Sequence, residues 1–286
     1  MTPREPKTLV AQAPEIPSLP DIYLRLDQAI NDPRYSLNDI GQIIGSDTGL
    51  SGRLLRLANS AFYSFPAKID TITRALTLVG TRQLRDLVLA TVVIRAFRKV
   101  PTRLVNMQDF WRHSVAVGVA ARIIAIYQRE VNVEHYYVAG ILHDIGRLVH
   151  FLLIPDASVS CYEISHSRTI PLFQAEREVL GFDHADTGHA LLQEWNLPAS
   201  LSDPVAHHHR PSQSVAYPRE AAILHLADMI ANAFSFGSSG EKLVPPLDET
   251  AWNLLQIPAV QLDSVLRQIE HQYWTAIDLF LEVETP

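Results

Sequence analysis

The residues of this chain with the clearest chemical potential are an adjacent pair inside an apolar stretch. His143 and Asp144 lie within residues 138–151, VAGILHDIGRLVHF, whose apolar side chains recur at helical spacing. This spacing predicts one buried helix over residues 138–151. An ionised carboxylate in such surroundings needs a partner, because burying an unpaired charge is costly. Imidazole and carboxylate groups are ligands of divalent cations, so the pair predicts a metal site that needs further ligands.

Further candidate ligands lie in the second half of the chain, where eleven of the twelve histidines fall between His113 and His225. His113 and Asp228 each share a helix face with apolar residues, which predicts that both are buried. A lone core histidine commonly hydrogen-bonds a backbone carbonyl, and a buried aspartate can pair with an arginine or lysine across a bundle. These structural roles remain open beside metal ligation.

Four more histidines belong to the same region. His184 shares its helix face with apolar residues and is therefore expected to point inward. Residues 207–209 are three consecutive histidines. Successive helical residues are about 100° apart, so at most two of the three can face one centre. A solvated cluster before Pro211 is the alternative.

The elements that must position these groups are all helical. Apolar periodicity and capping residues predict helices through most of the chain, with no convincing strand or repeat pattern. Ser18 and Ser36 are the predicted N-caps of the first two helices. The predicted helices cover residues 18–30, 36–44, 50–57, 69–78, 81–97, 109–127, 138–151, 157–167, 171–180, 183–196, 199–208, 218–235, 249–255 and 259–282. The polar segment 236–248 is predicted to be a surface loop.

Composition and helix-breaking residues indicate how the chain is divided. Residues 1–15 are rich in proline and polar residues and predict a flexible tail, while a break at residues 101–103 separates residues 16–105 from 106–286. A hydrophobic content of 47% and a net charge of −7 fit a globular protein and argue against general nucleic-acid binding. The lone Cys161 suits a reducing compartment. Without an evident signal peptide or membrane-spanning run, we expect a cytoplasmic protein that has no membrane partner.

The motifs around the candidate ligands resemble those of the HD superfamily of metal-dependent phosphohydrolases in order and spacing. They are FWRHSVAVG, AGILHDIGRL, GFDHADTGHALLQEWNLP, HHHRP and ILHLADMIA. The earlier stretches IPSLPDIYLRLDQAI, IGSDTGLSGRLLRLANSAFY and ITRALTLVGTRQLRDLVLA are similar to the HDOD family, a signalling branch of that superfamily. The resemblance covers about residues 16–235. It implies an all-α fold in which an N-terminal HDOD-type subdomain, 16–105, precedes an HD-type bundle, 106–286.

The resemblance also implies a ligand set for divalent metal ions, two in number, with Fe, Mn and Mg as candidates. One ion would be held by His113, His143, Asp144 and Asp228. Asp144 would bridge to a second ion, which would also be held by His184, His208 and His209. The family's His-His-x-Pro order favours His208 and His209 over His207, and a shift by one residue stays open. A bridged pair of ions can polarise a phosphate and activate a bound water.

Asp144 and Arg147 are the candidate catalytic residues. Arg147 lies one helical turn beyond His143 and could hold a phosphate oxygen, although an ordinary surface arginine is an equal alternative. The related HD-GYP enzymes, which cleave cyclic di-GMP, have an acidic residue, a glycine and a lysine where this chain has Arg210, Ala216 and Arg147. These departures argue against cleavage of cyclic di-GMP.

Three functions are consistent with these features. The HDOD resemblance implies a bacterial-type signal-transduction module that binds metal and acts on regulatory protein partners. The first alternative is an active metal-dependent phosphohydrolase or phosphodiesterase on a nucleotide or cyclic dinucleotide, and the sequence leaves catalysis open. The weaker alternative is a DNA-binding regulator, because residues 37–60 have the order of a helix-turn-helix, with Arg53 and Arg56 on its second helix.

Overall fold

The computed structural model describes residues 5–11, 13–60, 62–63 and 65–281, and these residues form helices and loops without a strand. The all-α prediction is therefore confirmed. The α-helices are α1 Pro6–Ala11, α2 Asp21–Asn31, α3 Leu37–Gly45, α4 Thr48–Ala58, α5 Ile72–Val79, α6 Thr81–Phe97, α7 Met107–Tyr127, α8 Val133–Leu142, α9 Ile145–Leu153, α10 Pro155–Arg168, α11 Leu172–Leu180, α12 His184–Glu194, α13 Ala199–His207, α14 Pro218–Ala233, α15 Glu249–Leu255 and α16 Ala259–Leu281. A short 3₁₀ helix, Pro211–Gln213, follows α13.

Local capping chemistry sets several of these bounds. The backbone N–H of Asp39 donates to Oγ of Ser36 at 3.2 Å, and the Asp39 carboxylate accepts from the Ser36 N–H at 2.9 Å. This reciprocal pair confirms Ser36 as the N-cap of α3. The predicted N-cap Ser18 is wrong, because Pro20 takes that position: its backbone is extended, and its carbonyl accepts the N–H of Tyr23 as α2 begins.

The prediction of one helix over residues 138–151 is also wrong. The chain forms two helices there, α8 and α9, and His143 and Asp144 lie in the turn between them. The backbone of Asp144 has φ −100° and ψ 10°, outside the helical region. The apolar pattern continues on both sides of the turn, so periodicity alone did not reveal the break.

Two segments predicted to be loose are packed instead. Within the predicted flexible tail, Leu9 and Val10 of α1 are buried and the helix lies against α12. Residues 1–4 and 12 of that tail, and residues 282–286 at the other end, lie outside the described residues. The segment 236–248 is not simply a surface loop, because Ser239 and Glu241 are buried. Both polar side chains have hydrogen-bond partners on other elements, which is the condition for burying them.

Two close helix contacts determine where the site forms. A Cβ atom on Gly140 of α8 would lie 2.4 Å from Cα of Gly118 in α7, so the two backbones touch at this pair. A Cβ atom on Gly146 of α9 would lie 2.0 Å from the carbonyl oxygen of His184 in α12. A larger residue at either glycine would push the helices apart. The contacts bring α8 against α7, and α9 against α12.

Helices from the two halves of the chain pack on each other, with α6 against α8 and α4 against α16. The boundary near residue 105 therefore stays a prediction. Arg53 and Arg56 do lie on α4, which follows α3 across a short turn. DNA binding by this pair of helices also stays a prediction. None of the described helices is both long and apolar enough to cross a membrane.

Candidate metal centre

The structure brings together all seven side chains named as candidate metal ligands. Their donor atoms form two groups, and the donor atoms within each group lie within 4.8 Å of one another. The first donor group consists of His113, His143 and Asp228. The second donor group consists of Asp144, His184, His208 and His209. Every member is buried, and the most exposed, His209, is 9% exposed.

Asp144 lies between the two donor groups. Its Oδ2 is 3.1 Å from Nε2 of His143 and 3.8 Å from Nε2 of His113, both in the first donor group. Its Oδ1 is 3.0 Å from Nε2 of His184 and 3.9 Å from Nε2 of His208, both in the second. One carboxylate thus presents one oxygen to each group. This is the arrangement that a residue bridging two cations requires.

The histidines are oriented by their backbone contacts. Nδ1 of His143 lies 2.7 Å from the carbonyl oxygen of Gly140, and Nδ1 of His208 lies 2.7 Å from that of Val205. A carbonyl oxygen can only accept, so each Nδ1 carries a proton and each Nε2 points into the cluster. Among the described residues, Nε2 of His208 has no hydrogen-bond partner, and Nε2 of His143 faces carboxylate oxygens of Asp144 and Asp228 at 3.1 and 3.7 Å.

These two nitrogen atoms are the test of whether a metal fits. A neutral imidazole would turn the lone pair of Nε2 toward carboxylate oxygens, which is repulsive unless a positive charge lies between them. Burial lowers the pKa of His143, but Asp144 and Asp228 outweigh burial and raise it, so a proton can supply that charge. A divalent cation supplies it more completely. The donor set of imidazole nitrogen and carboxylate oxygen fits such an ion.

Asp228 provides the negative charge of the first donor group. Its Oδ1 lies 3.2 Å from Nε2 of His113 and accepts a hydrogen bond from Nδ2 of Asn232 at 2.8 Å. Burial raises the pKa of Asp228, but His113 and His143 more than offset this and bring it to about 2. Asp228 is therefore ionised at neutral pH. Among the described residues, the ion pairs of Asp228 are with His113 and His143 and none is with an arginine or lysine, contrary to the alternative of a structural salt bridge.

The second donor group is richer in imidazole. Nε2 of His209 lies 2.9 Å from Nε2 of His184, and the His209 ring stacks on Phe173 with ring centres 4.4 Å apart. Burial, followed by the neighbouring His143 and His184, lowers the pKa of His208 to about 3. His208 is therefore neutral at physiological pH, as a metal ligand must be.

The structure also shows where His207, the remaining histidine of residues 207–209, lies. His207 is half-buried outside both donor groups, and its Nδ1 donates to the carbonyl oxygen of Asp203 at 2.8 Å. His208 and His209 are buried in the second donor group, so a fully solvated cluster is wrong for these two residues. Their role as ligands remains a prediction that rests on this placement.

Arg147 is not a surface arginine, since it is 2% exposed. Its Nε lies 3.2 Å from Oδ1 of Asp144. Its Nη1 donates to Oγ and to the carbonyl oxygen of Ser239, at 3.0 and 3.2 Å. The guanidinium group therefore links the centre to the segment 236–248. The predicted contact with a phosphate would require Ser239 to move away.

Three residues of the centre's surroundings were missed at the sequence level: Glu176, Asn232 and Ser239. Glu176 accepts from Nδ1 of His184 at 2.6 Å. A signal for it was present, because Glu176 lies four residues from both Leu172 and Leu180 on the apolar face of α11. Asn232 is four residues beyond Asp228 on α14 and could have been found in the same way. Ser239 had no such signal, since its partner Arg147 is 92 residues away.

Comparisons with known proteins agree with this architecture. A family model for the HDOD domain matches residues 16–211. An uncharacterized protein of Treponema pallidum (strain Nichols) is 27% identical over 254 residues, which cover 88% of this chain. The matched part makes up 48% of that relative, so the chain spans about half of its length.

Solved structures show the same fold. A crystal structure of an HDOD domain protein with unknown function from Geobacter sulfurreducens matches with a TM-score of 0.78 and 26% identity, covering 96% of this chain and 98% of that one. A Shewanella amazonensis SB2B protein, provisionally named a phosphohydrolase, matches with a TM-score of 0.73 and 24% identity, covering 96% and 97%. At the identity of the second match, the similarity establishes the fold alone.

Proposed function

Because the chain belongs to the HDOD family, we propose that it is a regulatory protein of bacterial-type signal transduction whose buried histidine and aspartate centre binds divalent metal ions. One observation carries the proposal: seven side chains of metal-ligand type are enclosed in two groups, with no donor side chain more than 9% exposed. Such a centre suits an ion that is held and that stabilises one conformation. It is less suited to a phosphate ester that must enter and leave at each turnover.

The segment 236–248 contributes to this enclosure. Ser239 is 1% exposed, and its two oxygens occupy Nη1 of Arg147. The hydroxyl of Tyr162 also donates to the carbonyl oxygen of Ser239, at 3.3 Å. Nearby, the N–H of Ser238 donates to the carbonyl oxygen of Asp109 in α7 at 3.0 Å. A substrate phosphate that used Arg147 would first have to displace this segment.

Helix α8 offers a route from the centre to the N-terminal helices. His143 follows the C-terminal end of α8, while the other end of the helix contacts α6. There, Nδ2 of Asn132 donates to Oδ2 of Asp86 at 3.1 Å, and Nδ1 of His135 lies 3.7 Å from the same oxygen. Metal occupancy that shifts α8 would therefore reach a buried charge of α6. A regulatory protein partner that contacts the N-terminal helices could detect this shift.

The alternative is an active phosphohydrolase or phosphodiesterase on a nucleotide or cyclic dinucleotide. The position of Asp144 between the two donor groups favours it, because many hydrolases use two bridged ions. Such ions would polarise a phosphate and lower the pKa of a bound water. In this reading the segment 236–248 opens, and Arg147 then donates to a phosphate oxygen in place of Ser239.

Metal content tests the shared premise of both functions. Untagged wild-type protein purified without chelator should contain about two equivalents of divalent metal per chain. The Asp144→Asn variant should contain little or none. Asp86→Asn is the matched control, because Asp86 is an equally buried aspartate that contacts His135 and lies outside both donor groups. Wild-type protein that takes up no Fe²⁺, Mn²⁺ or Mg²⁺ would reject both functions.

Turnover and conformation then separate the two functions. Protein loaded with Fe²⁺, Mn²⁺ or Mg²⁺ is assayed on a panel of nucleotides, cyclic dinucleotides and simple phosphoesters, and hydrogen exchange of α6 and α8 is measured with and without metal. If the protein is a regulator, metal should slow hydrogen exchange in both helices, and none of the compounds in the panel should be hydrolysed. Turnover that disappears in Asp144→Asn would instead favour the hydrolase.

A further inference from the structure

Glu176 is a buried carboxylate outside both donor groups that contacts one of their members. It lies on α11, is 4% exposed, and is flanked on its helix face by Leu172 and Leu180. Its Oε2 accepts from Nδ1 of His184 at 2.6 Å and from the backbone N–H of His184 at 2.9 Å. Both the ring and the backbone of one candidate ligand are therefore held by the same oxygen.

This contact determines which nitrogen of His184 faces the centre. A carboxylate oxygen that already accepts a backbone N–H also accepts from Nδ1, so Nδ1 carries a proton. Nε2 is left to face the second donor group, where it lies 3.0 Å from Oδ1 of Asp144. Carboxylates commonly orient metal-ligating histidines in this way, which also makes the imidazole a stronger ligand.

The other oxygen of Glu176 is also enclosed by protein groups. Nδ1 of His150 lies 3.8 Å from Oε1, and Nε2 of His150 lies 2.8 Å from Oγ1 of Thr187. Thr187 is on α12, one turn beyond His184, and His150 is on α9. The carboxylate is thus fixed among three helices that meet at the second donor group.

Charge gives the contact a second role. The first donor group contains Asp228 and also faces Oδ2 of Asp144. The second donor group contains one carboxylate, Asp144, and the Oδ1 atom that faces this group is also 3.2 Å from Nε of Arg147. A divalent ion would therefore meet less negative charge in the second group. Glu176 supplies a buried negative charge on the far side of His184.

We propose that Glu176 is a positioning residue for a metal ion in the second donor group: it holds Nδ1–H of His184, directs Nε2 toward the ion, and compensates part of the ion's charge. This inference rests on the metal binding proposed above. It predicts that the second donor group loses affinity when Glu176 is changed, while the first donor group keeps its own.

Two variants separate the two roles of Glu176. Glu176→Gln keeps an oxygen that can accept from Nδ1–H but removes the charge, whereas Glu176→Leu removes both. Outer-shell changes typically weaken metal binding about 10- to 100-fold, so we expect about 10-fold for Glu176→Gln and about 100-fold for Glu176→Leu at one of two sites. The probe is Co²⁺, titrated into metal-free protein and followed by its visible absorption.

The matched control is Glu241→Gln. Glu241 is also a buried glutamate, and its carboxylate accepts from the backbone N–H of Leu172 at the beginning of α11, at 2.8 Å. Among the described residues, its carboxylate accepts hydrogen bonds from backbone N–H groups and from no histidine. Glu241→Gln should lower the stability of the protein, because it changes a buried, hydrogen-bonded side chain. It should keep both Co²⁺ affinities within about twofold of wild type.

A second readout does not depend on metal. In ¹⁵N-labelled, metal-free protein, the His184 Nδ1–H proton should be shifted downfield and protected from solvent exchange in wild type and in Glu176→Gln. It should be lost in Glu176→Leu. If Glu176→Leu keeps this proton, or if either variant binds Co²⁺ at both sites like wild type, the inference is wrong. Wild-type protein that binds no Co²⁺ at all would reject the proposed metal binding, while the proton would still decide whether Glu176 positions His184.

Discussion

The two donor groups lie side by side, but they differ in the helices that form them and in their carboxylates. The first joins His113 of α7 to His143 at the end of α8, where Gly118 and Gly140 let the helix backbones touch. The second joins His184 of α12 to the two histidines after α13, beside the close contact at Gly146. The first has a carboxylate of its own, Asp228. The carboxylate of the second, Asp144, also forms an ion pair with Arg147.

This difference indicates how each group would hold a cation. The first donor group faces more negative charge, because Asp228 is ionised and Asp144 presents an oxygen to it. The second consists mainly of imidazoles and depends on groups behind its ligands, such as Glu176. We therefore expect the first group to bind metal more tightly and the second to respond more strongly to changes in its surroundings.

The largest expected effect comes from the residue that the two groups share. Asp144→Asn removes the charge that faces both groups, so metal should be lost from both, and elemental analysis should find less than about a tenth of the wild-type content. Circular dichroism serves as the check on folding. A folded Asp144→Asn protein that retains one full equivalent would show that one group does not depend on Asp144.

A change confined to one group should remove one ion. Asp228→Asn is expected to lower the metal affinity of the first donor group, and His208→Ala that of the second. Each loss should exceed the roughly 100-fold that changing a residue behind a ligand produces. Co²⁺ titration of the two variants should reveal complementary losses. If either variant lost both ions together, the two groups would form one cooperative site, and the distinction drawn between them would fail.

The helix contact beneath the second group can be tested through stability. A Cβ atom on Gly146 would clash with backbone of α12, so Gly146→Ala should lower the free energy of unfolding by about 3 kcal/mol, the upper end for overpacking. Gly52→Ala is the control, because Gly52 is helical and its Cβ atom would contact nothing within 4 Å. It should stabilise the protein by about 0.5–1 kcal/mol. Urea unfolding measures both, and equal effects would contradict the close contact.

The smallest expected effect concerns the segment above the second group. Ser239→Ala removes one of the two hydrogen bonds that Arg147 makes to Ser239, which should cost about 1 kcal/mol of stability. Hydrogen exchange at residues 237–241 should become faster, while that of α7 should stay unchanged. Unchanged exchange in the segment would mean that Arg147 does not hold it in place.

Local features that involve neighbouring residues were predictable. The bounds of α6 match the prediction at both ends, and the capping of α3 by Ser36 depends on a residue three positions away. The candidate ligands were identified because histidine and aspartate are unusual on apolar helix faces. The resemblance to HDOD proteins added their grouping and the preference for His208 and His209.

Features that depend on distant contacts were not predictable in the same way. The sequence is apolar on both sides of the turn at His143 and Asp144, so its periodicity predicts one helix where the chain forms two. The segment 236–248 is polar in composition, yet its burial depends on Arg147 and on the beginning of α11. The position of Glu176 on the apolar face of α11 could have indicated its burial, but its partner His184 lies on another helix, α12.

The sequence by itself therefore determined the helical class, most of the helices and the chemical types of the donor groups, because these follow from side-chain identity and from spacings of three or four residues. Tertiary structure decided that Asp144 faces two groups, that Arg147 is enclosed and that Glu176 holds His184. These outcomes depend on where helix backbones touch, at Gly140 and Gly146. Such contacts join residues far apart in the chain, and packing sets their geometry.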